Sequence, residues 1–435
     1  MKLHLERNTI DISMQPPAVE KKLLLVMPVV VEEVDGKFGF DHQTSSGFIR
    51  WAENFDRVVI ACPVLPKYMA EASKTSSTWQ PISDLPCADK LELIPLPFAY
   101  KIQDFIKYYS SISQVIKTQI QECQYLCFGI CGLIGDWGAV ACLEAIKLKR
   151  PYAIWADRVE YEVISRTLHR ASLKRRIKEY LTLPFMKPYQ RYLVNRSHLG
   201  LFQGQDCYSA YSPFCEKSYC VYDVHTQKSD WIDTSSLELK IASILSNAPL
   251  QIVYAGRCAE MKGPVDWVRA VHQAYKAGVD IHATWLGDGP LLPEMKSLAE
   301  ELGISDRIHL TGFVSERSQI LETLKKHHIF LFCHKTPESP RCLVESLVSG
   351  SPIIGYGSSY PEGLVSEHGG GLFVPTNDWQ KLADLIVELN LDRVRLSKLI
   401  KEAALSGRMF DQETLFKHRS DLIKQYLNTR SLVAG

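Results

Sequence analysis

The segment TPESPRCLVESLVSGSPII, Thr336 to Ile354, places two carboxylates, Glu338 and Glu345, around a Ser-Pro-Arg step. Pro340 has no amide hydrogen to leave unpaired, which suits a first helical position, and Ser339 before it is a preferred N-cap. We expect a helix from about Pro340 to Ser349, stopped at Gly350, with Leu343, Val344, Leu347 and Val348 as its buried stripe. Glu345 lies off that stripe. The first amides of the helix, around Ser339, Arg341 and Cys342, form an anion site that suits a phosphate. Carboxylates beside a phosphate repel it unless they have other partners. The hydroxyls of a sugar and a ribose are such partners, because an ionised carboxylate is a strong acceptor. A nucleotide-sugar site and a capped core helix with solvated acids both account for this stretch taken alone.

Such a site needs elements to hold it. Short apolar runs recur at 22–31, 58–64, 91–97, 125–130, 151–156 and 199–204, with helical stretches between them. Continuous apolar runs read as buried parallel strands, and their alternation with helices implies an α/β fold. After a polar stretch, His225–Glu238, the pattern restarts at 251–256 and repeats at 283–287, 308–312, 329–333, 352–356 and 372–375. Two sheets in tandem leave a cleft between their strand ends, where open α/β sheets bind ligands.

The totals exclude other classes. The chain has 435 residues, is 46% hydrophobic and 23% charged, and carries a formal net charge of +1, so no global field recruits nucleic acid. The twelve cysteines form no CxxC pair. They read as buried reduced thiols of a cytoplasmic protein, with neither a disulfide framework nor a metal site; the Cys123, Cys127, Cys131 series lies across a strand. The N-terminus has no apolar signal region, and no run reaches the ~18 apolar residues of a membrane span. No GxGxxG follows the first strand of either half, which disfavours a dinucleotide oxidoreductase.

Four stretches together resemble glycosyltransferase family 4: YAGRCAEMKG (Tyr254–Gly263), LGDGPLLPEMKSLAEELGISDRIHLTGFVSE (Leu286–Glu316), ESPRCLVESLVSGSPII, and EHGGGLFVP (Glu367–Pro375). The resemblance implies the GT-B fold, two facing Rossmann-like domains with a cleft between them. It implies a retaining, metal-independent transferase that moves a sugar from a nucleotide-sugar donor to a glycan or polyprenyl-linked acceptor, as in surface polysaccharide synthesis. It assigns Arg257 and Lys262 to the donor diphosphate, Glu345 to the ribose and Glu338 to the transferred sugar. The amides of Arg341, Cys342 and Leu343 meet phosphate or sugar, and Gly256 lets the backbone approach the donor. The chain departs from the family in one respect: six residues separate the glutamates where seven are usual. No cofactor is implied. The corresponding division is a lead-in at 1–20, an acceptor-side domain at 21–235, a linker at 236–248, a donor domain at 249–405, and a C-terminal helix at 406–435. That helix crosses back to the first domain, with Phe410, Leu415, Leu422 and Ile423 as contacts.

In the first half the family has a Gly-rich loop near the diphosphate. Gly47, opening a helix at FIRWAENF, is the counterpart in Val31–Phe55, with Asp41 and His42 as acceptor-side candidates. Asp157 stands where the family often has a histidine, and His225 is a weaker candidate near the cleft. A solvated loop is the competing reading for Asp41 and His42. The segment 165–197 is basic and aromatic, which suits either a peripheral membrane contact or a solvated helix face. Two rival functions remain: a nucleotide-sugar epimerase or hydrolase, and a non-catalytic partner that keeps the fold.

Overall fold

The computed structural model describes residues 20–69, 79–168, 173–336 and 339–428. Strands β1 (Lys22–Val26), β4 (Arg57–Pro63), β6 (Leu91–Leu96), β7 (Tyr125–Gly129), β8 (Ala153–Ala156), β9 (Leu199–Gln203) and β10 (Ser218–Val221) form one sheet in the order β10-β9-β8-β7-β1-β4-β6. All its pairs are parallel. Strands β11 (Leu250–Ala255), β12 (Ile281–Leu286), β13 (Ile308–Gly312), β14 (Ile329–Phe332), β15 (Ile353–Tyr356) and β16 (Gly371–Val374) form the second sheet, also parallel, in the order β13-β12-β11-β14-β15-β16. Every apolar run expected to be a strand is one. The inner strands β7, β8, β14 and β15 are wholly buried, as expected where helices cover both faces.

In each sheet the chain winds outward in two directions from a central strand. The order switches between β1 and β7 in the first sheet and between β11 and β14 in the second. Connections diverge at such a point and leave a crevice at the carboxyl ends of the strands. A third, antiparallel sheet joins β2 (Glu32–Val34) and β3 (Lys37–Asp41), which lie within Val31–Phe55, to β5 (Trp79–Pro81). Its hairpin turns at Asp35-Gly36, both with positive φ (50° and 75°), as a two-residue type I′ turn requires.

The segment 236–248, expected as linker, lies mostly in the helix Thr234–Leu245. That helix belongs to the second domain through Lys240. Its buried ammonium donates to the carbonyls of Leu324, Ser349 and Gly350 and to Ser351 Oγ at 2.9–3.2 Å, which satisfies a charge that would otherwise be costly to bury. The chain therefore crosses between the domains earlier, over Tyr222–Asp233. It crosses back before the helix Gln412–Tyr426. Phe416, Leu422 and Ile423 of that helix are buried with Leu23, Trp51 and Leu201 of the first domain. Phe410 and Leu415, expected to join them, pack instead against the core of the second domain.

Candidate active site

The loops after β11 and β12 form one backbone surface. Gly256 N–H donates to Leu286 O at 2.8 Å, Cys258 N–H to Asp288 O at 2.8 Å, and Leu291 N–H to Cys258 O at 3.1 Å. The fit depends on missing side chains: a Cβ on Gly287 would stand 2.1 Å from Gly256 O, and one on Gly289 2.3 Å from Cys258 O. Arg257 is exposed at the rim of this surface. A short turn, Glu260–Lys262, follows and ends at Gly263 with φ +63°. Gly263 sits so close under β14 that a Cβ would meet Cys333 O at 2.3 Å. Lys262 is thereby held, half-buried, over the end of β14. Burial, then the Lys262 charge, keep the His334 imidazole well below its usual range. His334 Nε2 pairs instead with Tyr254 OH at 2.9 Å. The nearby Lys335 is committed to Asp266 at 2.9 Å.

On the other side of the crevice is the helix Arg341–Val348. Its N-cap residue is Pro340, extended at φ −73° and ψ 125°, and no side chain caps it. Ser339, the expected cap, stands one residue too early. The Leu343 amide donates to Pro340 O at 3.2 Å, so it is less available to a ligand than expected. The helix begins at Arg341, whose amide opens its first turn. Glu345 is half-buried on the same helix, its carboxylate 3.4 Å from Arg317 Nε. Burial raises its pKa, while Arg317 and then Arg341 pull it back. Both terminal nitrogens of Arg317 also grip Asp230, at 3.0 and 2.8 Å. Glu338 lies outside the described residues.

The first domain contributes a different set. The helix His42–Asn54 begins at His42, five residues before Gly47, because Asp41 caps it: Asp41 Oδ1 accepts from the amides of Gln43 and Thr44 at 3.0 and 3.1 Å. Asp41 is thus committed to the helix end, and His42 is exposed beside it. Gly47 lies inside the helix, where a Cβ would stand 3.5 Å from Phe416. It marks the crossing of the C-terminal helix, not a phosphate loop. Asp157 opens into the cleft, accepts from Trp155 Nε1, and has its pKa raised by crowding from protein and by Asp223. His225 stands 3.9 Å from Asp223, and its two ring nitrogens have no hydrogen-bond partner. Burial and the Arg341 charge push it down to about 4, so it is neutral at pH 7.

The residue that joins these parts is Asp223, which the sequence reading passed over. It lies 3.8 Å from Arg341 of the second domain and 3.8 Å from Arg419 of the C-terminal helix. Arg419 is 1% exposed and sandwiched at 4.6 Å from the rings of Trp155 and Phe416. Its signal was present, since Phe416, Arg419 and Ile423 share one helical face. Arg317 was equally close at hand, directly after the Gly-Phe-Val-Ser-Glu step.

Residues 238–406 match the model of glycosyl transferases group 1. The chain is similar to α-D-kanosaminyltransferase of Streptomyces kanamyceticus, 25% identical, over 38% of this chain and 42% of that protein. It is similar to the putative colanic acid biosynthesis glycosyltransferase WcaL of Escherichia coli K12, 28% identical, over 40% and 45%. The matched region thus spans less than half the length of these relatives. In structure it is similar to Anabaena HepE, solved in complex with UDP, with a TM-score of 0.63 over 93% of this chain and 100% of that one, at 15% identity. The fold is GT-B, two facing Rossmann-like domains.

Proposed function

We propose that the protein is a retaining glycosyltransferase that takes a sugar from a nucleotide-sugar donor and places it on a glycan or lipid-linked acceptor in surface polysaccharide or glycolipid synthesis. One observation carries this reading. β11 and β14 are neighbours at the switch point of the second sheet, and the loop after β11 carries Arg257 and Lys262 while the helix after β14, Arg341–Val348, carries Glu345. A nucleoside diphosphate gains negative charge as its glycosidic bond breaks. Cations and amides fixed at that point stabilise the transition state more than the ground state. Glu345 accepts from the ribose hydroxyls. Two protein cations take the place of a metal ion. The departing phosphate receives the acceptor proton on the same face, so no side chain is required as general base. A colanic-acid glycosyltransferase among the relatives and a UDP complex among the similar structures support the same reading.

No described helix is long and apolar enough to cross a membrane. The helix Leu173–Asn195 nevertheless exposes Leu173, Ile177, Tyr180, Leu181 and Phe185 at 56–77%. At 100° per residue these fall on one face. Exposed Arg176 and Lys187 accompany them. This combination suits an anionic membrane surface, and we place the enzyme at the cytoplasmic face.

The test is binding of UDP-, GDP-, ADP- and dTDP-sugars to the purified chain, with Glu345→Ala and Lys262→Ala alongside. One donor that binds the wild type and fails with both variants is the expected outcome. Absence of binding by every nucleotide sugar at millimolar concentration, with lipid vesicles present or absent, would remove the donor site.

A further inference from the structure

The switch point of the first sheet holds a second concave site. A cavity of about 510 Å³ opens beyond the ends of β1, β7 and β8, and the helix Leu173–Asn195 closes its side. Its wall is firmly built. Asp136 gathers the loop after β7 by accepting from the amides of Cys131, Gly132 and Ala139 at 2.8–3.0 Å. Gln190 of the side helix donates to Cys131 O at 3.3 Å.

The lining mixes two characters. Val29, Ile130, Leu133, Ile134, Ile164 and Met186 are apolar. Among them stand the acids Asp157, Glu160 and Glu179, and the cations Arg158 and Lys178. Each cation already has an acid beside it, Arg158 with Glu160 at 2.5 Å and Lys178 with Glu179 at 3.9 Å. A diphosphate entering here would meet matched cations and one surplus carboxylate, which disfavours it. Hydroxyl groups would meet strong acceptors, and a hydrocarbon chain would meet the apolar residues of the lining.

Position links the cavity to the donor crevice. Asp157, a lining residue, is close enough to Asp223 to feel its charge. Asp223 in turn lies 3.8 Å from Arg341, at the start of the donor-side helix. The helix that closes the cavity also bears the exposed apolar stripe, so a ligand anchored in a bilayer would have a short route inward.

We infer that this cavity is the acceptor subsite and that it takes a neutral, hydroxylated headgroup with an apolar aglycone, the chemistry of a glycolipid and not of a diphosphate-linked glycan. The inference rests on the transferase reading above. The probes are n-octyl β-D-glucopyranoside below its micelle concentration, glucose, and farnesyl diphosphate, each titrated calorimetrically into the full chain. Octyl glucoside is expected to bind at least roughly tenfold more tightly than glucose, without competition from farnesyl diphosphate. Met186→Trp and Thr182→Trp, which both fill the cavity from the helix Leu173–Asn195, should each weaken octyl glucoside roughly tenfold in protein whose melting temperature is retained. Undetectable octyl glucoside binding, equal binding of glucose, tighter binding of farnesyl diphosphate, or unaltered octyl glucoside binding in the folded variants would each overturn it. Nucleotide-sugar titration of the same samples separates the two failures, because loss of the donor site leaves the glycoside result to be read on its own.

Discussion

The Arg317 guanidinium reaches Glu345 at 3.4 Å while its terminal nitrogens hold Asp230 at 3.0 and 2.8 Å. Asp230 belongs to the segment that crosses between the domains, and its carboxylate also accepts from the Gln227 amide at 2.8 Å. The Glu345 carboxylate is therefore oriented from the interdomain connection. The charges acting on it are Arg317, Arg341 and Asp230, and burial raises its pKa against the two cations. Only the ionised form accepts two ribose hydrogen bonds at full strength. Removing Arg317 raises the pKa further, so affinity falls as pH falls and begins to fall at higher pH. We expect Arg317→Met to weaken nucleotide binding roughly tenfold at pH 7, with its pH profile displaced upward. Calorimetry of the donor nucleotide between pH 5 and 8 reads both. An unchanged profile would reduce Arg317 to a structural tie.

Lys262 and Arg257 should not be equivalent. Lys262 is half-buried on a turn locked by Gly263, whereas Arg257 is exposed. A charge partner in a desolvated site is worth about 2–5 kcal/mol, and an exposed one less. Lys262→Ala is expected to lower kcat/KM for the donor by two orders of magnitude or more. Arg257→Ala should cost about tenfold. Steady-state kinetics with the identified donor would decide, and equal losses would contradict the placement of Lys262 as the inner cation.

Acid should destabilise the fold through buried neutral histidines. His328 is 2% exposed, and its Nδ1 accepts the Gln251 amide at 3.1 Å, a bond that only the unprotonated nitrogen can make. Burial and the Lys240 charge push its pKa down to about 3. The unfolded chain takes up this proton near the ordinary value of ~6.5, while the native state does not. Stability is therefore complete above that value and is lost as pH falls from it toward about 3. At pH 5 the loss from this residue is roughly 2 kcal/mol. His328→Gln keeps an acceptor and removes the titration. Urea unfolding at pH 7 and pH 5 should show a smaller difference between the two pH values in this variant than in the wild type.

The core sheets were legible because a strand buried on both faces is apolar without interruption, as LLLV and IFLF are. Residues that work at the boundary between domains were not. Asp223, Arg317 and Arg419 owe their roles to contacts across long sequence separations, such as the 3.8 Å between Arg419 and Asp223; a helical face marks Arg419 and a motif adjoins Arg317, but neither names the partner. Asp41 misled for the opposite reason. It carries a local signal, Asp before a helix with Thr44 following, and that signal meant a cap. The Asp35-Gly36 hairpin in EEVDGKFGF carries a turn dipeptide, and it was missed because the stretch was read against the family's Gly-rich loop. Glu345 was found correctly on its helix, but its partner came from another element.

The exposed stripe on the helix Leu173–Asn195 predicts a salt-dependent membrane affinity. Ile177 and Phe185 stand at 56% and 66% exposure, with Arg176 and Lys187 near them. Each cation close to an anionic surface contributes about 1 kcal/mol and is screened within a Debye length, whereas apolar insertion is insensitive to salt. Vesicles containing phosphatidylglycerol should therefore retain the protein at low salt and release much of it at about 0.5 M salt. Ile177→Ser with Phe185→Ser removes the insertion and should lower retention at every salt concentration. Arg176→Gln with Lys187→Gln removes the attraction and should flatten the salt dependence. Co-sedimentation of the variants with vesicles distinguishes the two contributions. Equal retention of all proteins would mean that this face is solvated and that the acceptor is delivered from solution.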